Sequence, residues 1–151
     1  LEDLRQALYA SKICAYAQGF NLLEEAGKVY GWDLQMGRIA KIWRSGCIIR
    51  ARFLDTVSEI FEKENGMTNL LASGYFSQVL YGARAGWGRI ISLAVERGAA
   101  VPALSSALAY FDSYRTARGS ANLLQAQRDC FGAHTYERID KEGAFHTDWM
   151  N

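Results

Sequence analysis

The sequence predicts an all-α fold of about six helices with an extended C-terminal tail. Three observations carry this. Apolar residues recur at spacings of three and four along most of the chain. Proline occurs once in 151 residues, at Pro102, so long helices can run uninterrupted. No stretch alternates apolar and polar residues as a half-buried strand would.

The first segment is expected to form one long helix. Leu1, Leu4 and Leu8 open its stripe, Phe20, Leu23 and Ala26 continue it, and Gly31 is the C-cap candidate. Gly19 weakens it by about 1 kcal/mol relative to Ala, and marks either close helix packing or a tolerated flaw. Asp33 is expected to cap a short helix holding Ile39, Ala40 and Trp43, ended by Ser45-Gly46. The next helix is placed from about Cys47 to Glu64, with Ile49, Phe53, Val57, Ile60 and Phe61 on one side and Gly66 closing it. A turn follows at Thr68-Asn69. A helix from about Tyr75 to Arg97 buries Phe76, Val79, Leu80, Trp87, Ile90, Ile91 and Ala94, and Gly98 stops it. Pro102 sits in the first turn of a helix reaching Tyr114. Ser120 is the cap of the last helix, Asn122 to about Phe131, which Gly132 breaks.

From Gly132 the periodicity stops. The expected organisation is a helical domain over 1–131 and a tail over 132–151. Tyr136, Phe145 and Trp149 lack an evident partner within their own segment, so the tail is expected to reach a partner subunit and bury them there wherever its own domain supplies no surface.

Composition narrows the function. Half the residues are hydrophobic and 22% are charged, which is globular rather than disordered. The net charge of +1 supplies no electrostatic footprint for nucleic acid or an anionic membrane, and neither partner is expected. No apolar run approaches the ~20 residues of a membrane span. Cys14, Cys47 and Cys130 are odd in number and lack metal-ligand spacing. They imply small buried hydrophobes and a reducing compartment, the cytoplasm. The N-terminus has neither the order of a signal peptide nor an initiator methionine, so the chain is expected to begin inside a longer protein.

Several catalytic devices are missing from the sequence. It contains no GxGxxG, P-loop or HExxH. The only histidines are His134 and His146, so a metal site would need both with scattered carboxylates, and none is expected. The acidic pairs Glu2-Asp3 and Glu24-Glu25 suit solvated helix faces better than acid/base work. Arg44, Arg50 and Arg52 lie within nine residues and could bracket a phosphate. Pairing with acids such as Asp55 and Glu59 is the plainer reading. The segment from Gln125 to Tyr136 is more pointed. It places Arg128 near a helix end, then a glycine, then His134-Thr135-Tyr136. Arg offers a rigid fork to phosphate or carboxylate oxygens, and His can hydrogen-bond in either protonation state.

That segment, Gln125-Ala126-Gln127-Arg128-Asp129-Cys130-Phe131-Gly132-Ala133-His134-Thr135-Tyr136, resembles a motif near the C-terminus of long-form 6-phosphogluconate dehydrogenases. Further blocks resemble the same family in the same order: Leu8 to Ile13, Tyr16 to Phe20, Gly31-Trp32, Trp43 to Arg50, Ala107 to Arg115 and Phe145 to Trp149. The resemblance implies an NADP-dependent, decarboxylating oxidoreductase of the pentose phosphate pathway. Such an enzyme converts 6-phosphogluconate to ribulose 5-phosphate as a homodimer. It implies that NADP is bound mainly by an N-terminal domain outside this chain. The catalytic lysine and glutamate also lie outside it, so this piece alone is expected to be inactive. Two family positions transfer, Arg128 and His134, and both are implied to bind substrate in the neighbouring subunit. Cys130 stands where the family commonly has Tyr, and Ser120 where it commonly has Pro. The family tail also continues past the position of Asn151. Two alternatives remain: the helical domain of another β-hydroxyacid dehydrogenase, or a non-enzymatic helical association module.

Overall fold

The computed structural model describes residues 1–63 and 67–150. Among them are six helices: α1 Glu2–Tyr30, α2 Met36–Trp43, α3 Leu54–Lys63, α4 Gly74–Glu96, α5 Pro102–Tyr114 and α6 Ala121–Gly132. A short 3-10 turn, Leu70–Ala72, precedes α4, and a minimal hairpin, β1 Tyr136–Glu137 and β2 Ala144–Phe145, follows α6. The all-α expectation holds. The chain divides into two compact units, Leu1–Phe111 and Asp112–Asn151, so α6 and the tail share one unit.

In the first unit α1 packs along α4. The face that α1 buries is Ala7, Ala10, Ile13, Cys14, Ala17 and Phe20. The expected leucine stripe does not join the core: Leu4 and Leu8 are 48% and 60% exposed. Small side chains are what let two helix backbones approach, and the alanines of α1 provide them here. Asp3 in the first turn of α1 receives two hydrogen bonds from Arg89 of α4, at 2.7 and 2.8 Å. A Cβ at Gly86 would lie 2.7 Å from the Asp3 carboxylate, so this glycine provides space rather than a turn. Gly31 terminates α1 as expected, in the left-handed conformation with φ 68°. A Cβ at Gly19 would meet nothing within 4 Å, which removes close packing among the described residues as its explanation.

The other boundaries shift for identifiable reasons. Gln35, not Asp33, flanks the start of α2; Asp33 instead accepts a hydrogen bond from the Gln35 side chain at 2.8 Å. α3 begins at Leu54 rather than Cys47. Residues 45–53 form turns, with Gly46 at φ 72° and Ile48 fully exposed. The β-branched pair Ile48-Ile49 has little helix propensity and no core contact to override it. The expected closure at Gly66 lies outside the described residues. The unit's aromatic core joins α1, α2, α3 and the loop before α3. Tyr16 meets Phe53 edge-on at 5.1 Å, and Phe20 lies 5.0 Å from Trp43 and 5.3 Å from Phe61. Asn69 caps the 3-10 turn through the Leu71 amide and donates to the Tyr110 hydroxyl at 2.9 Å. Ser73 caps α4 at the Phe76 amide. No helix among the described residues is long and apolar enough to cross a membrane.

The second unit departs most from expectation. Ser120 flanks α6 without a side-chain cap; its carbonyl accepts from Leu123 and Leu124 instead. The tail is not featureless, because its hairpin pairs Tyr136 with Phe145 and Glu137 with Ala144. Nor do its aromatics lack local partners. The Tyr136 and Phe145 rings lie 6.2 Å apart, Arg138 and Lys141 each sit 5.6 Å from the Phe145 ring, and Tyr136 shares a 2.7 Å hydrogen bond with Thr147. Trp149 donates to Asp129 of α6 at 2.9 Å.

Candidate functional site

The site is built at the C-terminal end of α6. The helix runs through Gly132, and the left-handed residue that ends it is Ala133, at φ 49°, whose amide reaches the Asp129 carbonyl. The expected break at Gly132 is therefore displaced by one residue. Gly132 serves another purpose. A Cβ there would lie 2.8 Å from two atoms of the His134 imidazole, so any other residue would displace that ring from this position. Phe131 flanks the same imidazole edge-on at 5.9 Å.

Thr135 is also left-handed, at φ 59°. A β-branched residue there costs about 1–3 kcal/mol and persists only where the surroundings over-determine it. Two side chains of α6 do so. Asp129 accepts from the Thr135 amide at 3.0 Å, and the Gln125 amide donates to the Thr135 carbonyl at 2.5 Å. His134 is thus held between two left-handed residues and turned outward, where it is exposed.

Asp129 is wholly shielded from solvent. Besides Thr135, its carboxylate accepts from the Thr147 amide at 3.0 Å, from His146 Nδ1 at 2.9 Å and from the Trp149 indole at 2.9 Å. A carboxylate only accepts, so His146 carries its proton on Nδ1. Burial pushes the Asp129 carboxyl up, but its donors at Thr147, His146 and Trp149 outweigh burial and hold it well below the usual carboxylate range.

Arg128 points to the exposed side. Its one hydrogen bond among the described residues is to the neutral Gln125 amide at 3.1 Å. Among the described residues no acid pairs with it, whereas Arg115 and Arg138 pair with Asp112 and Asp140. Arg128 and His134, the two candidates from sequence, are brought to the same end of α6. Gln125 and Asp129, which hold them, were not singled out from sequence. Two cavities flank Gln125. One of about 500 Å³ is lined by Asn122, Tyr136, Arg138 and Trp149 among others; one of about 350 Å³ is lined by His134, Thr135 and Glu137.

The other candidates resolve differently. Arg44, Arg50 and Arg52 do surround one open pocket, but Asp55 lines it too and pairs with Arg44 at 2.5 Å. Glu59 pairs with Lys63, not with an arginine. No group of three His, Cys, Asp or Glu side chains that could hold a metal occurs among the described residues. Cys14 is buried, and burial pushes its thiol up to about 12. Cys130 is exposed.

Comparison with known proteins bears on this geometry. Residues 1–149 match the family model of the 6-phosphogluconate dehydrogenase C-terminal domain. The chain is 55% identical over 150 residues to the NADP(+)-dependent, decarboxylating 6-phosphogluconate dehydrogenase of Bacillus subtilis, covering 99% of this chain and 32% of that protein. It is 52% identical to a decarboxylating 6-phosphogluconate dehydrogenase of Oryza sativa subsp. japonica, covering 99% and 31%. A solved 6-phosphogluconate dehydrogenase of Plasmodium falciparum, described in its apo form and in complex with NADP+ and with 6-phosphogluconate, superposes with a TM-score of 0.92 at 40% identity. It covers 98% of this chain and 32% of that one. The chain thus spans about a third of the length of the relatives it matches.

Proposed function

The chain belongs to the 6-phosphogluconate dehydrogenase family as its C-terminal domain, and from this we propose that it supplies substrate-binding and subunit-pairing parts to an NADP-dependent, decarboxylating 6-phosphogluconate dehydrogenase. The proposed reaction oxidises the C3 hydroxyl of 6-phosphogluconate: C3 gives its hydride to NADP+ and the hydroxyl gives its proton to a base. The resulting β-keto acid loses its carboxylate as carbon dioxide, and the enediol tautomerises to ribulose 5-phosphate. The residues present here form no dinucleotide fingerprint, so the cofactor is assigned to the rest of the protein, where it would accept the hydride.

Arg128 and His134 are proposed to bind substrate. The observation that carries this is an exposed guanidinium, paired with no acid among the described residues, beside an imidazole turned outward by a strained turn. Arg128 would meet the phosphate with its fork, and His134 would hydrogen-bond a substrate oxygen. The tail, residues 132–151, is proposed to reach the other subunit of a homodimer. The exposed apolar side chains Phe131 and Ile139 are consistent with a surface that a second chain covers.

Arg128→Ala in the full-length enzyme tests this. A phosphate contact made before and during reaction is uniform binding, so KM for 6-phosphogluconate should rise while kcat falls less. Hydrogen bonds to charged groups contribute about 1.5–3 kcal/mol, which is roughly ten- to hundredfold in KM. Arg128→Lys should recover only part, since it keeps the charge but loses the fork. An unchanged KM in Arg128→Ala would remove the assignment.

A further inference from the structure

We propose that Gln125 is a positioning residue that joins Arg128 and the His134–Thr135 turn into one preorganised substrate-binding unit. The inference rests on the substrate assignment above and adds a residue to it. Gln125 and Arg128 are three residues apart on α6 and so share a face. The Gln125 side-chain oxygen accepts from Arg128 at 3.1 Å, and its nitrogen donates to the Thr135 carbonyl at 2.5 Å. The amide orientation is dictated by the partners, because a guanidinium only donates and a carbonyl only accepts. A carboxamide presents one of each on a single plane, whereas a carboxylate or an apolar side chain here would lose the contact to Thr135.

Its two ends do different things. At Arg128 it fixes one N–H of a long, rotamer-rich side chain and leaves the rest of the fork for a ligand, which lowers the entropy lost on binding. At Thr135 it restrains a left-handed peptide from the carbonyl side while Asp129 restrains it from the amide side. Released from Gln125, that peptide is free to relax toward extended geometry, carrying the neighbouring His134 off its seat over Gly132. Gln125 also lines both of the cavities described above, so the link sits where a ligand would arrive.

The test is a double-mutant cycle in the full-length enzyme, with 6-phosphogluconate as the varied substrate. Gln125→Met, close in shape but without polar atoms, should raise KM about three- to tenfold, the scale of one or two neutral hydrogen bonds. kcat should stay within about twofold. In an Arg128→Ala background the same substitution should raise KM by less than about half that factor, because one end of the link has nothing left to position. A merely structural role would lower the thermal midpoint and change KM by the same factor in both backgrounds; that additivity overturns the inference. So does an unchanged KM in Gln125→Met. If Gln125→Met does not fold, Gln125→Glu keeps the acceptor for Arg128 and places a second acceptor against the Thr135 carbonyl. It too should raise KM, and a parental KM there overturns the inference. An Arg128→Ala enzyme with parental KM instead overturns the substrate assignment, and this inference with it.

Discussion

A carboxylate shut away from water keeps its charge only if donors replace the solvent, and Asp129 has four of them, drawn from positions 135, 146, 147 and 149. Its folded carboxyl lies below the usual range of about 3.9 for a free Asp. The contribution to stability is therefore fully present above about pH 4 and is lost as pH falls further, through the folded value. The Trp149 indole N–H, bonded to Asp129, reports on this directly. Its hydrogen exchange should stay slow from pH 7 to 5 and accelerate only in acid below about pH 4. Asp129→Asn turns two of the four donors toward an N–H₂ group, so it should speed that exchange at neutral pH and flatten the acid step. Slow exchange in the Asn variant would show that the carboxylate is not the latch. Arg128 and His134 could be named as candidates from sequence because they lie six residues apart within one family-like motif. Asp129 and Gln125 could not, because three of the Asp129 partners lie 17 to 20 residues further on, beyond the hairpin, and Gln125 meets Thr135 only through the left-handed turn that ends α6.

For the helices, periodicity located the elements but not always the buried face. The leucines of α1 have the spacing of a buried stripe, yet Ala7, Ala10 and Ala17 are what α1 buries, as a close helix packing favours. In α4 the two agreed. Trp87 has no solvent exposure, and its indole nitrogen has no hydrogen-bond partner among the described residues. Trp87→Ala should cost about 3–5 kcal/mol in urea unfolding, from lost transfer energy and the cavity left behind. Trp87→Phe should cost about 1–2 kcal/mol, because shedding an unsatisfied N–H offsets part of the lost volume. Equal losses in the two variants would mean that the indole N–H is bonded in solution. α3 was misplaced at its start for a similar reason: a β-branched apolar run mimics a helix face until the fold leaves it without a core.

At the scale of the whole molecule, the proposed service of Arg128 to a neighbouring subunit is tested by subunit complementation. Full-length subunits bearing Arg128→Ala are mixed with subunits dead in the catalytic lysine that the family resemblance implies. If Arg128 serves the neighbour's site, one heterodimer site combines its own intact lysine with the partner's intact arginine, and the other has neither. Mixing should then restore activity. If Arg128 serves its own subunit, one heterodimer site has its lysine but a mutant arginine, the other has its arginine but no lysine, and neither is whole. No gain in activity from subunits shown to form heterodimers would therefore overturn the exchanged tail.

By itself the sequence determined the all-α class, the approximate helices, the family and the two exposed ligand candidates. Each of these depends on residue type at short spacing, and short spacing survives without coordinates. The tertiary structure alone decided which face of α1 is buried, that Gly132 makes room for His134 rather than ending α6, and that Thr135 is held in a strained peptide. It alone turned a tail without periodicity into a hairpin fastened to Asp129. These are long-range matters of donor, acceptor and space. A buried carboxylate must find its donors wherever the chain returns, and no local pattern encodes where that is.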